Sequence, residues 1–367
     1  MKNKKIYFFF GTTAELIKLI PIIREFQKRR VCFKIITSGQ GKIFFNEFVD
    51  FIGPIKEDIQ LQEKENKSSV FFFITWAIRA TYTGIFSLKK EFKGLNKKNS
   101  YFIIHGDTVS SLIGAIIAKI YGLKIVHIES GLRSFNFLEP FPEEISRHIV
   151  SYLTDIHFAP NEWAVNNLKK MPGIKINTIQ NTLIETFWKA MKIRKYKRSR
   201  KKINGKYFVL VMHRQEHVIW GKNEMKNLLE YILENIEPNL TCVFMTHDIT
   251  LSFLNSTKFN LGSDYTKKIV FITRLSYVEF IKLIKDSKFI ITDGGSNQEE
   301  MHYMGKPCLL LRNYTERIEG LGRNVILSKS NKKVISDFLT HYKKYRKNKV
   351  TISKAPSKII VDYLFNH

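Results

Sequence analysis

Cysteine is nearly absent. The 367 residues hold three, Cys32, Cys242 and Cys308, each isolated in the chain. That number and spacing fit neither a disulfide framework nor a zinc cluster. Each lies in an apolar, strand-like run, so all three are expected as buried, inert thiols. Glycine and proline are sparse, at 19 and 9, which excludes collagen-like and low-complexity chains. Long apolar runs are missing too: the most apolar stretch, Val70 to Ala80, is broken by Arg79 and falls short of a spanning helix. The basic start at Lys2 and the apolar run to Phe10 mimic a signal peptide. The run breaks at Gly11 without a small-residue cleavage site, so it reads as a first buried strand. A cytoplasmic protein is expected, with any membrane contact peripheral. Acid is also scarce: 33 Asp+Glu against 60 Lys+Arg leave a net charge of +27. Such an excess suggests nucleic acid or an anionic membrane, or else a lysine-rich solvated surface. The basic residues are dispersed and lack an aromatic-interleaved recognition motif, so no nucleic-acid partner is expected.

What is present is a globular composition, 44% hydrophobic and 13% aromatic, able to bury enough surface to offset ordering. At about 150 residues per domain the length suggests two domains. Short continuous apolar runs alternate with amphipathic segments. Strands are expected at Ile6–Phe10, Phe33–Thr37, Tyr101–His105, Lys124–Ile128 and Ile156–Ala159, with helices between them, one covering 70–93. Continuous runs indicate strands covered on both faces, hence a parallel sheet. From Lys192 to Lys206 nine of fifteen residues are Lys or Arg, the mark of a solvated linker. The rhythm then restarts, with strands at Tyr207–Met212, Thr241–Met245, Ile269–Phe271, Phe289–Thr292 and Cys308–Leu311. The expected fold class is α/β: two doubly wound, Rossmann-like domains facing a central cleft. Residues 1–190 form the first, 191–206 a basic linker, and 207–353 the second; a helix at 354–367 returns to the first.

Chemistry-bearing residues cluster where strands end. Gly11-Thr12-Thr13 follows the first strand, and the helix behind it carries Glu15 and Lys18. His105-Gly106-Asp107-Thr108 and His127-Ile128-Glu129 end two more strands, and Glu143 and Arg147 open a helix four residues apart. Asp107, Glu129 and Glu143 are therefore expected on one cleft edge, with Lys18, Arg147 and His213 opposite them. Crowded acids separate in pKa, which lets one site supply both an acid and a base. In the second half, Asp293-Gly294-Gly295-Ser296 leads from a strand into a helix, a setting that favours phosphate, with Glu300 one turn on for ribose hydroxyls. Arg317 is a natural diphosphate clamp. There is no His/Cys cluster with metal spacing, no nucleophile elbow and no Walker loop.

Taken together these segments resemble the non-hydrolysing UDP-N-acetylglucosamine 2-epimerases, which have the two-domain GT-B fold of the B-type glycosyltransferases. The matching pieces are GTTAELIK (11–18), HGDT (105–108), HIESGLRSFN (127–136), FPEEISRH (141–148), HFAP (157–160), NT (181–182), HRQE (213–216), LSYVEF (275–280), TDGGSNQEE (292–300) and TERIE (315–319). The resemblance implies that Asp107, Glu129 and Glu143 are the catalytic acids and bases, supported by Lys18, Arg147 and His213. It implies that Glu300 binds the uridine ribose, and that Arg317 with Gly294, Gly295 and Ser296 binds the diphosphate, Thr13 and Tyr277 completing the UDP-sugar contacts. The family's reaction uses no nicotinamide and no metal, so no cofactor is expected. A homodimer is implied, with the Phe71–Trp76 helix as its contact. The chain departs from the family at Thr13-Ala14, where Arg-Pro is usual, at Gly294-Gly295-Ser296 for Ser-Gly-Gly, in a shortened segment after Glu319, and at Gly41 for an effector-site histidine. These changes fall on nucleotide or effector contacts and spare the acids. They leave open an alternative, a GT-B glycosyltransferase held at an anionic membrane by the basic runs Lys89–Lys98 and Lys192–Lys206.

Overall fold

The computed structural model describes residues 4–63, 70–96, 99–137, 139–194, 203, 205–212, 222–246 and 268–367. The chain divides into two compact units, Met1–Thr186 with Ile352–His367, and Phe187–Thr351.

The first unit begins with β1 (Lys5–Phe10) and α1 (Thr13–Lys28), then β2 (Lys34–Thr37), α2 (Val49–Ile52), β3 (Ile59–Gln60), α3 (Val70–Ser87) and α4 (Lys89–Phe92). It continues through β4 (Ser100–His105), α5 (Val109–Tyr121), β5 (Lys124–Ile128), α6 (Glu143–Leu153), β6 (Ile156–Ala159), α7 (Glu162–Asn167) and β7 (Ile174–Asn177). The strands form one parallel sheet in the order β3-β2-β1-β4-β5-β6-β7. β1 reads KIYFFF, and five of its six residues are buried. Successive side chains alternate faces. Tyr7 and Phe9 join Trp76, Phe102 and Ile117 in one core, while Phe8 meets Phe26 of α1 at 5.8 Å. Helix α8 (Leu183–Lys192) carries the chain into the second unit. The last helix, Pro356–Asn366, lies on α1, with Phe365 stacked on Phe26 and Arg29 paired to Asp362.

The second unit contains β8 (Lys206–Val211), α9 (Lys222–Asn235), β9 (Leu240–Thr246), β10 (Ile269–Thr273), α10 (Tyr277–Asp286), β11 (Ile290–Thr292), α11 (Gly295–Met304), β12 (Cys308–Leu310), β13 (Val325–Leu327) and α12 (Lys332–His341). Its sheet is parallel throughout, in the order β10-β9-β8-β11-β12-β13. Helix α10 starts with a capping box: Ser276 accepts from the Glu279 N–H, and Glu279 accepts from the Ser276 N–H at 3.0 Å. Its carbonyls at Ile284 and Lys285, and that of the C-cap Ser287, are met by the buried Lys306 ammonium.

Two doubly wound sheets are thus present, as the alternating apolar runs predict. Three details differ from expectation. Cys32 is exposed, in the turn before β2, whereas Cys242 and Cys308 are buried, and burial raises their thiol pKa values. The helix expected over 70–93 ends at Ser87, and a short second helix follows the buried Leu88. Strands β3, β7 and β13 were not legible because they are only two to four residues long and partly exposed. Among the described residues no helix is long and apolar enough to cross a membrane.

In each sheet the strand order reverses at a central pair, β1/β4 in the first unit and β8/β11 in the second. Loops beyond the carboxyl ends of such pairs diverge and leave room for a ligand.

Candidate active site

The first switch point gathers the acids. Gly11 follows β1, Asp107 follows β4, and Glu129 follows β5 on the adjacent strand. Glu129 has φ 63°, a left-handed conformation uncommon outside glycine and more often kept where function requires it. Its buried carboxylate takes Lys18 Nζ on both oxygens, at 2.9 and 2.7 Å. The Asn181 amide donates to the same group, and His105 Nε2 stands 4.0 Å away.

Asp107 is paired with the buried Arg147 guanidinium. Arg147 is also held by Glu144, at 2.5 Å. Glu144 in turn accepts from the Ser134 N–H at 3.1 Å, so it links the loop after β5 to the arginine. Glu143 is the first residue of α6, one turn before Arg147.

Two buried histidines brace this region. Burial lowers the His127 pKa to about 4. The ring is therefore neutral near pH 7, and its Nε2–H donates to the Gly106 carbonyl at 2.7 Å, fixing the Asp107 loop. Burial likewise lowers His157 to about 3. Its Nε2–H donates to Pro172 O at 2.9 Å, which leaves Nδ1 to accept from Ser130 Oγ at 2.8 Å. Thr13 lies on the first turn of α1, its hydroxyl donating to Lys42 O at 3.0 Å.

The second switch point carries the glycine turn. Gly294 caps α11 and its N–H donates to Thr292 Oγ1 at 2.9 Å. Gly295 opens the helix beside Arg317: a Cβ there would lie 2.7 Å from the guanidinium Nε and 2.8 Å from Glu316 Oε1. Only glycine fits. Arg317 is buried against Glu299 at 3.4 Å and Glu316 at 3.7 Å. Glu300 accepts from Asn297 Nδ2 at 3.0 Å. Tyr277 is buried beside Glu300, and burial followed by that carboxylate raises the phenol pKa. Ser296, half-buried, is the second residue of α11. His213 lies outside the described residues, as do most of the basic run 192–206 and the rest of HRQE.

The profile of the UDP-N-acetylglucosamine 2-epimerase family matches residues 78–358. The chain belongs to this family. The UDP-N-acetylglucosamine 2-epimerase of Methanocaldococcus jannaschii is 32% identical, covering 97% of this chain and 98% of its own. Among solved structures, the family enzyme from Neisseria meningitidis bound to UDP-GlcNAc superposes with a TM-score of 0.81 at 26% identity, covering 99% of this chain and all of that one. The M. jannaschii enzyme in complex with UDP-GlcNAc and UDP gives 0.79 at 27%, with 99% of each chain covered. The family is one of isomerases, and these relatives do not favour the glycosyltransferase alternative.

The matched residues 78–358 include the loops after β4, β5 and β11. Within the first unit the structure brings Lys18 to Glu129 and Arg147 to Asp107; within the second it brings Tyr277 to Glu300 and Arg317 beside Gly295. Sequence reasoning missed Asn181, Glu144, Glu299 and Glu316 as partners. The doubled acid in FPEEISRH was the available signal for Glu144; the matching piece NT marked Asn181, but not its partner 52 positions away.

Proposed function

We propose that this protein reversibly epimerises C2 of a UDP-2-acetamido sugar, either UDP-GlcNAc to UDP-ManNAc or a 2,3-diacetamido relative. The observation that carries this reading is the pair of adjacent strand-end carboxylates, Asp107 and Glu129, each joined to a buried cation. In the proposed cycle one carboxylate takes the C2 proton as the C1–O bond to UDP breaks, giving a 2-acetamidoglucal and UDP. A proton is then delivered to the opposite face of C2, and UDP re-adds at C1. Two proton-transfer groups flanking C2 are the minimum this chemistry needs. Asp107, Glu129 and Glu143 are the proposed acids and bases, with Lys18, Arg147 and His213 around the sugar and departing diphosphate. Glu300 and Tyr277 are assigned to the nucleoside, Arg317 with Gly294–Ser296 to the diphosphate, and Thr13 to a further nucleotide contact. Holding the glycal and UDP out of water would prevent their loss.

The proposed setting is the cytoplasm, supplying surface polysaccharide synthesis, with a homodimer as the working form. Support for the dimer is the outer stripe of α3, where Ile74, Ile78, Tyr82 and Phe86 recur every four residues and are each more than half exposed. Trp76, on the segment first expected as the contact, is fully buried and does not contribute. The lysine-rich runs support peripheral contact with anionic membranes, which sedimentation with anionic vesicles at low and moderate salt would test. The enzymatic proposal is tested by a panel of UDP-2-acetamido sugars in deuterated water, read by proton NMR. Loss of the C2 proton signal is expected for at least one sugar, and no exchange with any would overturn it.

A further inference from the structure

One buried carboxylate outside the proposed catalytic set ties together two loops of the first switch point. Glu15, in the first turn of α1, is 3% exposed. Its Oε2 accepts from the Gly11 N–H at 3.0 Å and the Thr12 hydroxyl at 2.9 Å. Its Oε1 accepts from the Thr108 hydroxyl at 2.9 Å, and the Ser111 hydroxyl, which donates to the His105 carbonyl, lies 3.4 Å away. Thr12 and Thr108 are themselves the N-caps of α1 and α5, accepting from the Glu15 and Ser111 N–H groups. A single carboxyl group therefore binds the N-cap hydroxyls of two helices that follow neighbouring strands. Asp107 directly precedes Thr108, and Lys18 is one turn beyond Glu15 on α1.

We propose that Glu15 is a positioning residue for the epimerisation: it locks the Asp107 loop to the Lys18 helix and so sets the spacing of the Asp107 and Glu129 carboxylates. The inference rests on the function proposed above. The chemistry favours a carboxylate at this position, because three donors, the Gly11 N–H and the Thr12 and Thr108 hydroxyls, converge on two oxygens. A carboxamide offers one acceptor oxygen, and a protonated carboxyl turns one acceptor into a donor. Burial raises the Glu15 pKa to about 7; the hydrogen bonds from Gly11, Thr12 and Thr108 oppose this, and the charge of Asp107 adds to it. The ionisable groups on the neighbouring elements are Asp107 after β4, Lys18 on α1, Glu129 after β5, His105 on β4 and Arg147 on α6. Of these, Asp107 is paired with Arg147 and Glu129 with Lys18. Ionisation of Glu15 completes the shared cap, so turnover rises as pH rises through about 7.

The test uses E15Q, T108V and the double variant, with turnover read as C2 deuterium incorporation into UDP-GlcNAc or the panel sugar that wild type exchanges. A displacement of about 1 Å costs on the order of a hundredfold in rate. E15Q is therefore expected to lower kcat roughly 10- to 100-fold with KM within about threefold, and to lose the rising limb near pH 7. T108V is expected to lower kcat similarly, and the double variant no further than the worse single, because both break one link. Wild type active with E15Q within twofold of it, fully multiplicative effects, or a limb that persists in E15Q would overturn the role of Glu15 alone. Should E15Q fail to fold by circular dichroism, T108V keeps the carboxylate and decides the matter: unchanged kcat overturns the proposal. Wild type that exchanges no sugar of the panel overturns both readings.

Discussion

Replacing Lys18 by methionine removes one charge from the buried Lys18–Glu129 pair and leaves the other. The ammonium and carboxylate are 2.7 Å apart and their side chains are 6% and 2% exposed. At an effective dielectric of about 20, their attraction across that distance is about 6 kcal/mol. Desolvation offsets much of this, yet a carboxylate stranded without its partner costs about 3–5 kcal/mol. For a unit of this size that corresponds to a fall in Tm of roughly 10 °C. Differential scanning calorimetry at pH 7 measures it. K18M/E129Q, which removes both charges and keeps the shape, should recover most of the stability and none of the C2 exchange. A K18M cost under about 1 kcal/mol, or a double variant no more stable than K18M, would refute the claim that this pair is buried and mutually dependent.

Three further outcomes follow from other parts of the structure. Gly11→Ala would place a Cβ 2.0 Å from Ser110 Oγ, 2.4 Å from Ser38 Oγ and 2.8 Å from Gln40 Cβ, so urea denaturation should show a loss of about 1–3 kcal/mol with reduced turnover. His127 holds a pKa lowered to about 4 by burial; its contribution to stability is present above pH 6.5 and is lost as pH falls toward 4, about 3 kcal/mol in all. H127Q should therefore show a flatter stability profile across that window than wild type. Tyr82→Glu on the exposed stripe of α3 should convert the proposed dimer to a monomer by light scattering, whereas Thr340→Glu, exposed on α12 in the other unit, should leave its mass unchanged.

Legibility in the sequence followed burial and range. Strands such as β1 and β4 are buried along nearly their whole length, so they print as continuous apolar runs, and their ends disclose Gly11 and Asp107. The half-exposed IKIN of β7 prints no such run, and its place at the sheet edge depends on β6 being there first. Glu15 was legible as a residue of the helix behind Gly11-Thr12-Thr13, but its bond to Thr108 joins positions 93 residues apart. In the same way, the i,i+4 spacing of Glu143 and Arg147 was plain, but it did not disclose the bonds of the arginine to Glu144 on its own helix and to Asp107 after β4. Helix geometry alone does not choose between such partners. The charge of +27 shows the reverse case: a large compositional signal of which the described switch points absorb only Lys18, Arg147, Arg317 and a few neighbours.

The central claim is that Asp107 and Glu129 move the C2 proton while UDP departs and returns. A single turnover of the exchanging UDP-2-acetamido sugar in deuterated water, analysed by mass spectrometry and proton NMR, tests it most directly. The product epimer should carry one deuterium, at C2, and both D107N and E129Q should abolish its appearance without preventing UDP-sugar binding. A product epimer formed without deuterium, or formed at wild-type rate by either variant, would contradict the account.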